Sequence, residues 1–323
     1  MRAAVCSAWG EVESLEVRDM PAPEPGEGEV AIRVAAAGVN FADAIMIAGN
    51  YQTRPEHPFA PGLEVAGEVT AVGPGCERLV LGDRVMAILW WGGYAETAIA
   101  RETEAFLVPE GMTDIEAAAF PTAWVSSHVA IRWQADLKAG EAMLVLGAAG
   151  GVGLAAVECG KALGARVIAA ASSPERLALA ARHGADEGID YSAESLKERV
   201  AALTDGRGVD VVYDPVGGPL FDEALSSLAW GGRILLIGFV AGVPRIPANR
   251  LLVKHRSAMG SSMRYFRRER PDLLLRSMEE LAAWYGEGKV VPRVTETWGL
   301  EDVPKAIRRL TERQATGKVV VTL

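Results

Sequence analysis

The chain has 323 residues, half of them hydrophobic and 23% charged, which exceeds one ordinary core and excludes a disordered or fibrous polymer. Lys plus Arg number 33 against 42 Asp plus Glu, a net charge of −9 that argues against nucleic acid, since displacing phosphate counterions needs a basic face. The three scattered cysteines Cys6, Cys76 and Cys159 offer no disulfide framework, the start MRAAVCSAWGEVESLEV lacks a secretory apolar run, and no uncharged stretch spans a bilayer. A reduced cytoplasmic setting without a membrane partner is therefore expected.

Up to about Val108 the apolar runs are short. VAIRVAAAG, EVAGEVTAVG and GDRVMAILWWGG are separated by Gly and Pro turns, which predicts a barrel-like unit of short strands. DIEAAAFPTAWVSSHVAIRWQ then reads as helical, with an N-cap at Thr113 or Asp114. From Ala142 strands and helices alternate: AMLVLGA, GVGLAAVECGKALG, ARVIAAAS, a helix from Ser173, DEGIDY, AESLKERVAALTDG, VDVVYDPVG, LFDEALSSLAW and GRILLIGFV. Such alternation predicts βαβ units and a parallel sheet covered on both faces. Beyond about Ser261, PDLLLRSMEELAAWYGEGK and LEDVPKAIRRLTERQ are amphipathic helices and KVVVTL is a closing strand. The expected class is α/β. The expected division is a discontinuous unit of residues 1–121 with 262–323, interrupted by a doubly wound unit of 122–261.

The segment GAAGGVGLAA (147–156) follows the first strand of that alternation. Gly151-x-Gly153-x-x-Ala156 fits the dinucleotide fingerprint, and Gly150, Gly151, Val152 and Gly153 form its turn. One glycine permits the turn, the next lets backbone approach a pyrophosphate held by free N–H groups and the helix dipole, and the small Ala156 packs close to the strand. An NAD-type site carries an acidic residue about 20 residues on, at the tip of the second strand. That tip reads AAASSPER, with Ser172, Ser173 and Arg176 suited to a 2′-phosphate and Glu175 opposing it. NADP is favoured over NAD. Ser172 and Ser173 also serve as helix caps before Pro174, Arg176 reads equally as a solvated residue, and Tyr191 follows the third strand as a further contact. Gly238, Phe239 and Val240 end a strand at the carboxyl edge, where ligands bind in such sheets.

These landmarks, with AGVNFAD (37–43), PGLEVAG (61–67), GDRV (82–85), DPVGG (214–218) and IPANRLLVK (246–254), resemble the medium-chain dehydrogenase/reductase superfamily. Within it, the likeness is to the zinc-independent quinone oxidoreductases of zeta-crystallin type. The resemblance covers essentially the whole chain. It implies a GroES-like barrel domain plus a Rossmann domain, an active site in the cleft, and dimers or tetramers; a homodimer is expected. It also implies that Asn40 and Tyr51 face the nicotinamide or the substrate oxygen, and that Thr122 lies near the nicotinamide. Some relatives carry a tyrosine where Ile45 stands. Zinc-dependent relatives carry Cys and His where Asn40 and Leu63 stand. The residues agree: the histidines His57, His128, His183 and His255 are isolated and no cysteine pair exists, so no zinc is expected.

Without a Lewis acid, alcohol oxidation is hard, since the hydroxyl proton needs a strong acceptor of the kind that zinc or a tuned Tyr/Lys/Ser set supplies. Reduction of an electrophilic quinone or enone needs only a hydride donor, positioning and hydrogen bonds to oxygen. Asn40, Tyr51 and Thr122 are the candidate donors. Each has a bland alternative: Asn40 as a turn residue, Tyr51 as surface. Asp43 reads as a helix cap rather than an acid, and Glu64, inside an apolar run, as half of a buried hydrogen bond or ion pair. Lys318 reads two ways, as a contact to the cofactor phosphate or as a solvated strand-end lysine. Arg264, Arg267, Arg268 and Arg270 form either a solvated face or a site for an acidic substrate such as a CoA thioester. The expected function is NADPH-dependent quinone reduction. The alternatives are an enoyl or alkenal reductase on the same scaffold and a low-turnover NADPH-binding protein.

Overall fold

The strand Glu29–Val39 carries the first sheet. Val30, Ile32 and Val34 face the core, and then Ala37 and Val39 do, because an irregularity between Val34 and Ala36 shifts the two-residue alternation by one. One side of this strand pairs antiparallel with Glu64–Val72. The other is shared: Thr97–Arg101 takes the first half and Lys318–Thr322 the last. Arg84–Ile88 and Ala105–Leu107 extend the sheet beyond Glu64–Val72, and Val294–Gly299 flanks Lys318–Thr322 in parallel. The helix Val303–Thr311 lays Val303, Ala306 and Ile307 on the same core. The GroES-like expectation is met in this unit.

The computed structural model describes residues 1–323 and divides them into two units, Met1–Thr122 with Pro292–Leu323, and Ala123–Val291. The second unit holds a six-stranded parallel sheet in the order Glu187–Asp190, Arg166–Ala171, Ala142–Leu146, Val209–Asp214, Leu228–Leu236, Ser257–Gly260. This is the 3-2-1-4-5-6 order of a Rossmann sheet, whose strand order reverses between Ala142–Leu146 and Val209–Asp214. Met143, Leu144, Val145 and Leu146 are all buried, as a strand covered on both faces requires.

Three sequence expectations shift. Residues 262–291, placed with the barrel unit, belong to the Rossmann unit. Leu274, Met278, Leu281 and Trp284 form a buried helical stripe on Pro271–Gly286; within this unit Trp133 Nε1 donates to Ser277 Oγ (2.8 Å) and the His128 ring lies 5.1 Å from that of Trp284. The helix expected over LFDEALSSLAW stops at Ser226, and Leu228 opens the next strand. That strand ends at Leu236, so Gly238, Phe239 and Val240 lie beyond it in the irregular segment 238–247, and Ser257–Gly260 is the sheet edge on that side. No helix is long and apolar enough to cross a membrane.

A buried carboxylate ties this unit together. Glu158 Oε1 meets His183 Nδ1 at 2.6 Å, and Oε2 accepts from Trp124 Nε1 (2.7 Å) and Val291 N–H (3.1 Å). Burial pushes its pKa up, while His183 and Trp124 oppose the shift. Glu158→Ala leaves the buried Trp124 Nε1, the His183 ring and the Val291 N–H without their acceptor. It is expected to cost about 3 kcal/mol, read as a lower urea midpoint by circular dichroism.

Candidate functional site

In the second unit, the sheet's central strand ends at Leu146 and turns through Gly147, at φ +58°, into the helix Gly151–Ala162, with Gly150 as N-cap. The first intrahelical bond runs from Leu154 N–H to Gly150 C=O (2.8 Å), so the N–H groups of Gly151, Val152 and Gly153 open the helix without helical partners. A Cβ on Gly153 would lie 2.2 Å from the Gly147 carbonyl, so only glycine lets this helix approach the turn. Ser127 Oγ supports it from beneath, 3.1 Å from the Val152 carbonyl and 2.9 Å from Tyr213 Oη.

The corner beside this turn brings the expected cofactor residues together. Asp190 pairs with Ala171, and Tyr191 N–H donates to the Ala171 carbonyl (3.1 Å), so Tyr191 stands beside Ser172. Ser173 caps the helix Pro174–Arg182, its Oγ accepting from Arg176 N–H at 3.4 Å; a hydrogen bond from its own backbone, and then one from the Ser173 side chain, hold the Glu175 carboxyl below its usual range. Ser172 is exposed, Ser173, Arg176 and Tyr191 are half-buried, and Asp190 turns its Oδ1 onto Ser192. Gly238 and Phe239 lie in the loop after the fifth strand, where Gly238 N–H reaches the Asp214 carbonyl (3.4 Å) and Phe239 and Val240 stay exposed. Asp214 Oδ1 accepts from Val216 and Gly217 N–H (both 2.8 Å), which folds the DPVGG loop back onto the strand end.

The first unit holds a second cluster. Glu64 is fully buried at the start of its strand, as its apolar run predicts. Its Oε1 accepts from Lys318 Nζ (2.6 Å) and Asn40 Nδ2 (2.8 Å), and its Oε2 from Thr122 N–H (2.8 Å). Lys318 also donates to Asn40 Oδ1 (3.0 Å) and the Val39 carbonyl (3.4 Å), and its side chain is only 4% exposed. Both expectations for Lys318 are therefore corrected: it is neither solvated nor free to reach a phosphate. Asn40 is corrected too. Both ends of its amide are engaged inside the protein, with a further 3.4 Å contact from Nδ2 to the Gly38 carbonyl, so it is not a free donor for a substrate oxygen.

Asp43 takes the expected capping role from the third helical position: its Oδ2 accepts Asn40 N–H (2.7 Å) at the start of Phe41–Ile47. The same oxygen accepts from Tyr94 Oη (2.6 Å), a partner that sequence reading missed, while Oδ1 is buried without one. Burial pushes the Asp43 carboxyl up to about 7, against the Tyr94 and Asn40 hydrogen bonds. Thr122 Oγ1 is buried with no hydrogen-bond partner, so of the expected donors this hydroxyl has unused capacity. Tyr51 is half-buried against the first unit's core. The one forward signal for the Lys318 pairing was a carboxylate in an apolar run, which demands a cation or donors somewhere in the chain.

Two family models match, "Alcohol dehydrogenase GroES-like domain" over residues 26–110 and "Zinc-binding dehydrogenase" over residues 151–280. Quinone oxidoreductase-like protein 2 of Bos taurus is 38% identical over all of this chain and 92% of its own. A quinone oxidoreductase of Pseudomonas aeruginosa is 35% identical over 98% of this chain and 97% of its own. The crystal structure of Escherichia coli quinone oxidoreductase complexed with NADPH superposes with a TM-score of 0.93 at 27% identity, covering the full length of both chains. Full-length identity above one third, two matching domain models and a shared fold make this chain a member of the quinone oxidoreductase family of medium-chain dehydrogenases/reductases.

Proposed function

We propose that the protein is an NADPH-dependent, metal-independent oxidoreductase that reduces quinones. The observation that carries this reading is the glycine-opened helix N-terminus after the central strand, beside the Ser172, Arg176 and Tyr191 corner. The NADPH in the Escherichia coli relative supports the same dinucleotide here. When bound, NADPH supplies the hydride, and a proton from water completes the hydroquinone. The N–H groups of Gly151, Val152 and Gly153 hold the pyrophosphate. The Arg176 guanidinium, with the Ser172 and Tyr191 hydroxyls, holds the 2′-phosphate, and Ser173 keeps Glu175 turned to itself. The Thr122 and Tyr51 hydroxyls donate to the acceptor oxygen as charge develops there. Metal independence is supported by the donor set: no three His, Cys, Asp or Glu side chains converge as ligands. The arginines that an acidic thioester would need are partly committed, Arg267 being buried and Arg270 forked onto Asp272 (3.0 and 2.9 Å), so the quinone reading is preferred.

The test is the initial rate of NADPH oxidation with 1,4-naphthoquinone beside a small enone at matched concentration. A dominant quinone rate supports the reading. A dominant enone rate moves the assignment to double-bond reduction, and binding without turnover on either moves it to a cofactor-binding protein. Arg176→Ala is expected to raise the Kd for NADPH about tenfold to a hundredfold and to leave NADH within about twofold, which fluorescence titration of both nucleotides checks.

A further inference from the structure

Glu64 divides its oxygens between two tasks. Oε1 takes Lys318 and Asn40, and Oε2 takes the Thr122 N–H alone. The carboxylate fits against the neighbouring strand because Gly38 has no side chain: a Cβ there would lie 2.3 Å from Glu64 Oε1 and 2.4 Å from the Ala118 carbonyl. Lys318 holds Oε1 from the far end of the chain, and Asn40 bridges lysine and carboxylate. The Glu64 carboxylate is thus fixed from one side and pins the Thr122 backbone with the other. Thr122 is the second residue of a π-helical turn over Pro121–Val125, after the helix Asp114–Ala119 has ended. Its Oγ1 is left buried and unpaired.

We propose that Glu64 is a positioning residue for the Thr122 hydroxyl, with Lys318 the counter-charge that lets a carboxylate occupy this buried place. Lys318 compensates the buried carboxylate, and the side-chain oxygen at position 64 holds the Thr122 backbone so that the hydroxyl points where an acceptor oxygen is to be met. This inference rests on the reading of Thr122 as a hydrogen-bond donor to that oxygen. Lys318 and Glu64 touch no substrate; their effect reaches the reaction only through Thr122.

The experiment measures Thr122→Val in three backgrounds with 1,4-naphthoquinone and saturating NADPH: the parent, Glu64→Gln/Lys318→Met, and Glu64→Leu/Lys318→Met. The first double variant keeps an acceptor for Thr122 N–H without burying a lone charge; the second removes the acceptor. Thr122→Val is expected to lower kcat about tenfold in the parent and in the Gln/Met background, and less than about twofold in the Leu/Met background. Hydrogen exchange of the Thr122 amide in the NADPH-free protein is expected to quicken only in the Leu/Met background, with the Kd for NADPH within about twofold throughout. Should the Leu/Met variant not fold, Glu64→Asp shortens the side chain while keeping the ion pair, and is expected to lower kcat and quicken the same amide. An equal Thr122→Val loss in all backgrounds, with unchanged exchange, overturns the proposal. If Thr122→Val is silent in the parent, the hydroxyl is not a donor and the positioning role falls with it. If the parent turns over no quinone, the functional proposal fails by itself, and amide exchange decides whether Glu64 holds Thr122.

Discussion

Lys318→Met is expected to lower the stability of the first unit by about 3–5 kcal/mol, the range for removing one partner of a buried ion pair. Glu64 is fully buried and the Lys318 side chain is 4% exposed, so solvent cannot take over the lysine's role. The substitution leaves the carboxylate with only the Asn40 amide and the Thr122 N–H, and it strips Asn40 Oδ1 of its donor. Without the cation a lone charge stays buried, and its desolvation is no longer compensated. Glu64→Gln/Lys318→Met is expected to recover most of the loss, since a neutral pair has no charge to desolvate. Urea unfolding of the three proteins at pH 8 measures this. A Lys318→Met variant within about 1 kcal/mol of the parent at pH 8 shows that the pair is not the anchor described here.

Asp43→Asn is expected to flatten the pH dependence of stability between pH 5 and 8. The folded carboxyl is pushed up to about 7 by burial, from an ordinary value near 3.8. Below about pH 4 both states hold the proton and the group contributes no slope. Between that point and about pH 7 the unfolded chain releases its proton while the folded chain keeps it, so stability falls as pH rises. Above about 7 the loss is complete, up to about 4 kcal/mol for a shift of this size. The groups facing Asp43 are the Tyr94 hydroxyl and the Asn40 N–H, with Glu64 and Lys318 acting through space. Asparagine keeps an oxygen for both donors and removes the ionisation. Parent and variant compared by urea unfolding at several pH values should therefore converge or cross as pH rises. Parallel curves would show that Asp43 is ionised in the folded protein throughout this range.

Much of the Rossmann unit was readable from the chain because its signals are local. Gly153 is required by a carbonyl only a few residues away, and Ser173 caps the helix that Pro174 begins; in the first unit, Thr113 takes the N-cap expected there at Thr113 or Asp114 and closes a capping box with Glu116. Buried strands such as Ala142–Leu146 announce themselves as unbroken apolar runs. The shifted boundaries share a cause. Leu228–Trp230 continues a helical pattern, yet lies where the parallel sheet needs a partner for Val209–Asp214. The helices of 262–291 are amphipathic in any context, and nothing within them states which core their apolar stripe will meet.

The amino-acid order alone settled the alternation, the glycine turn and the caps, because each depends on neighbours within a few residues and on the period of a helix or strand. The fold decided the roles of Lys318, Asn40 and Tyr94. Lys318 and Glu64 are 254 residues apart, and they meet because Lys318–Thr322 pairs with the end of Glu29–Val39 while Glu64–Val72 pairs along its other side. A lysine opening a strand carries no sign of which carboxylate lies across the sheet. Its partner, and the loss of Asn40 as a free donor, follow from strand register, which long-range packing sets.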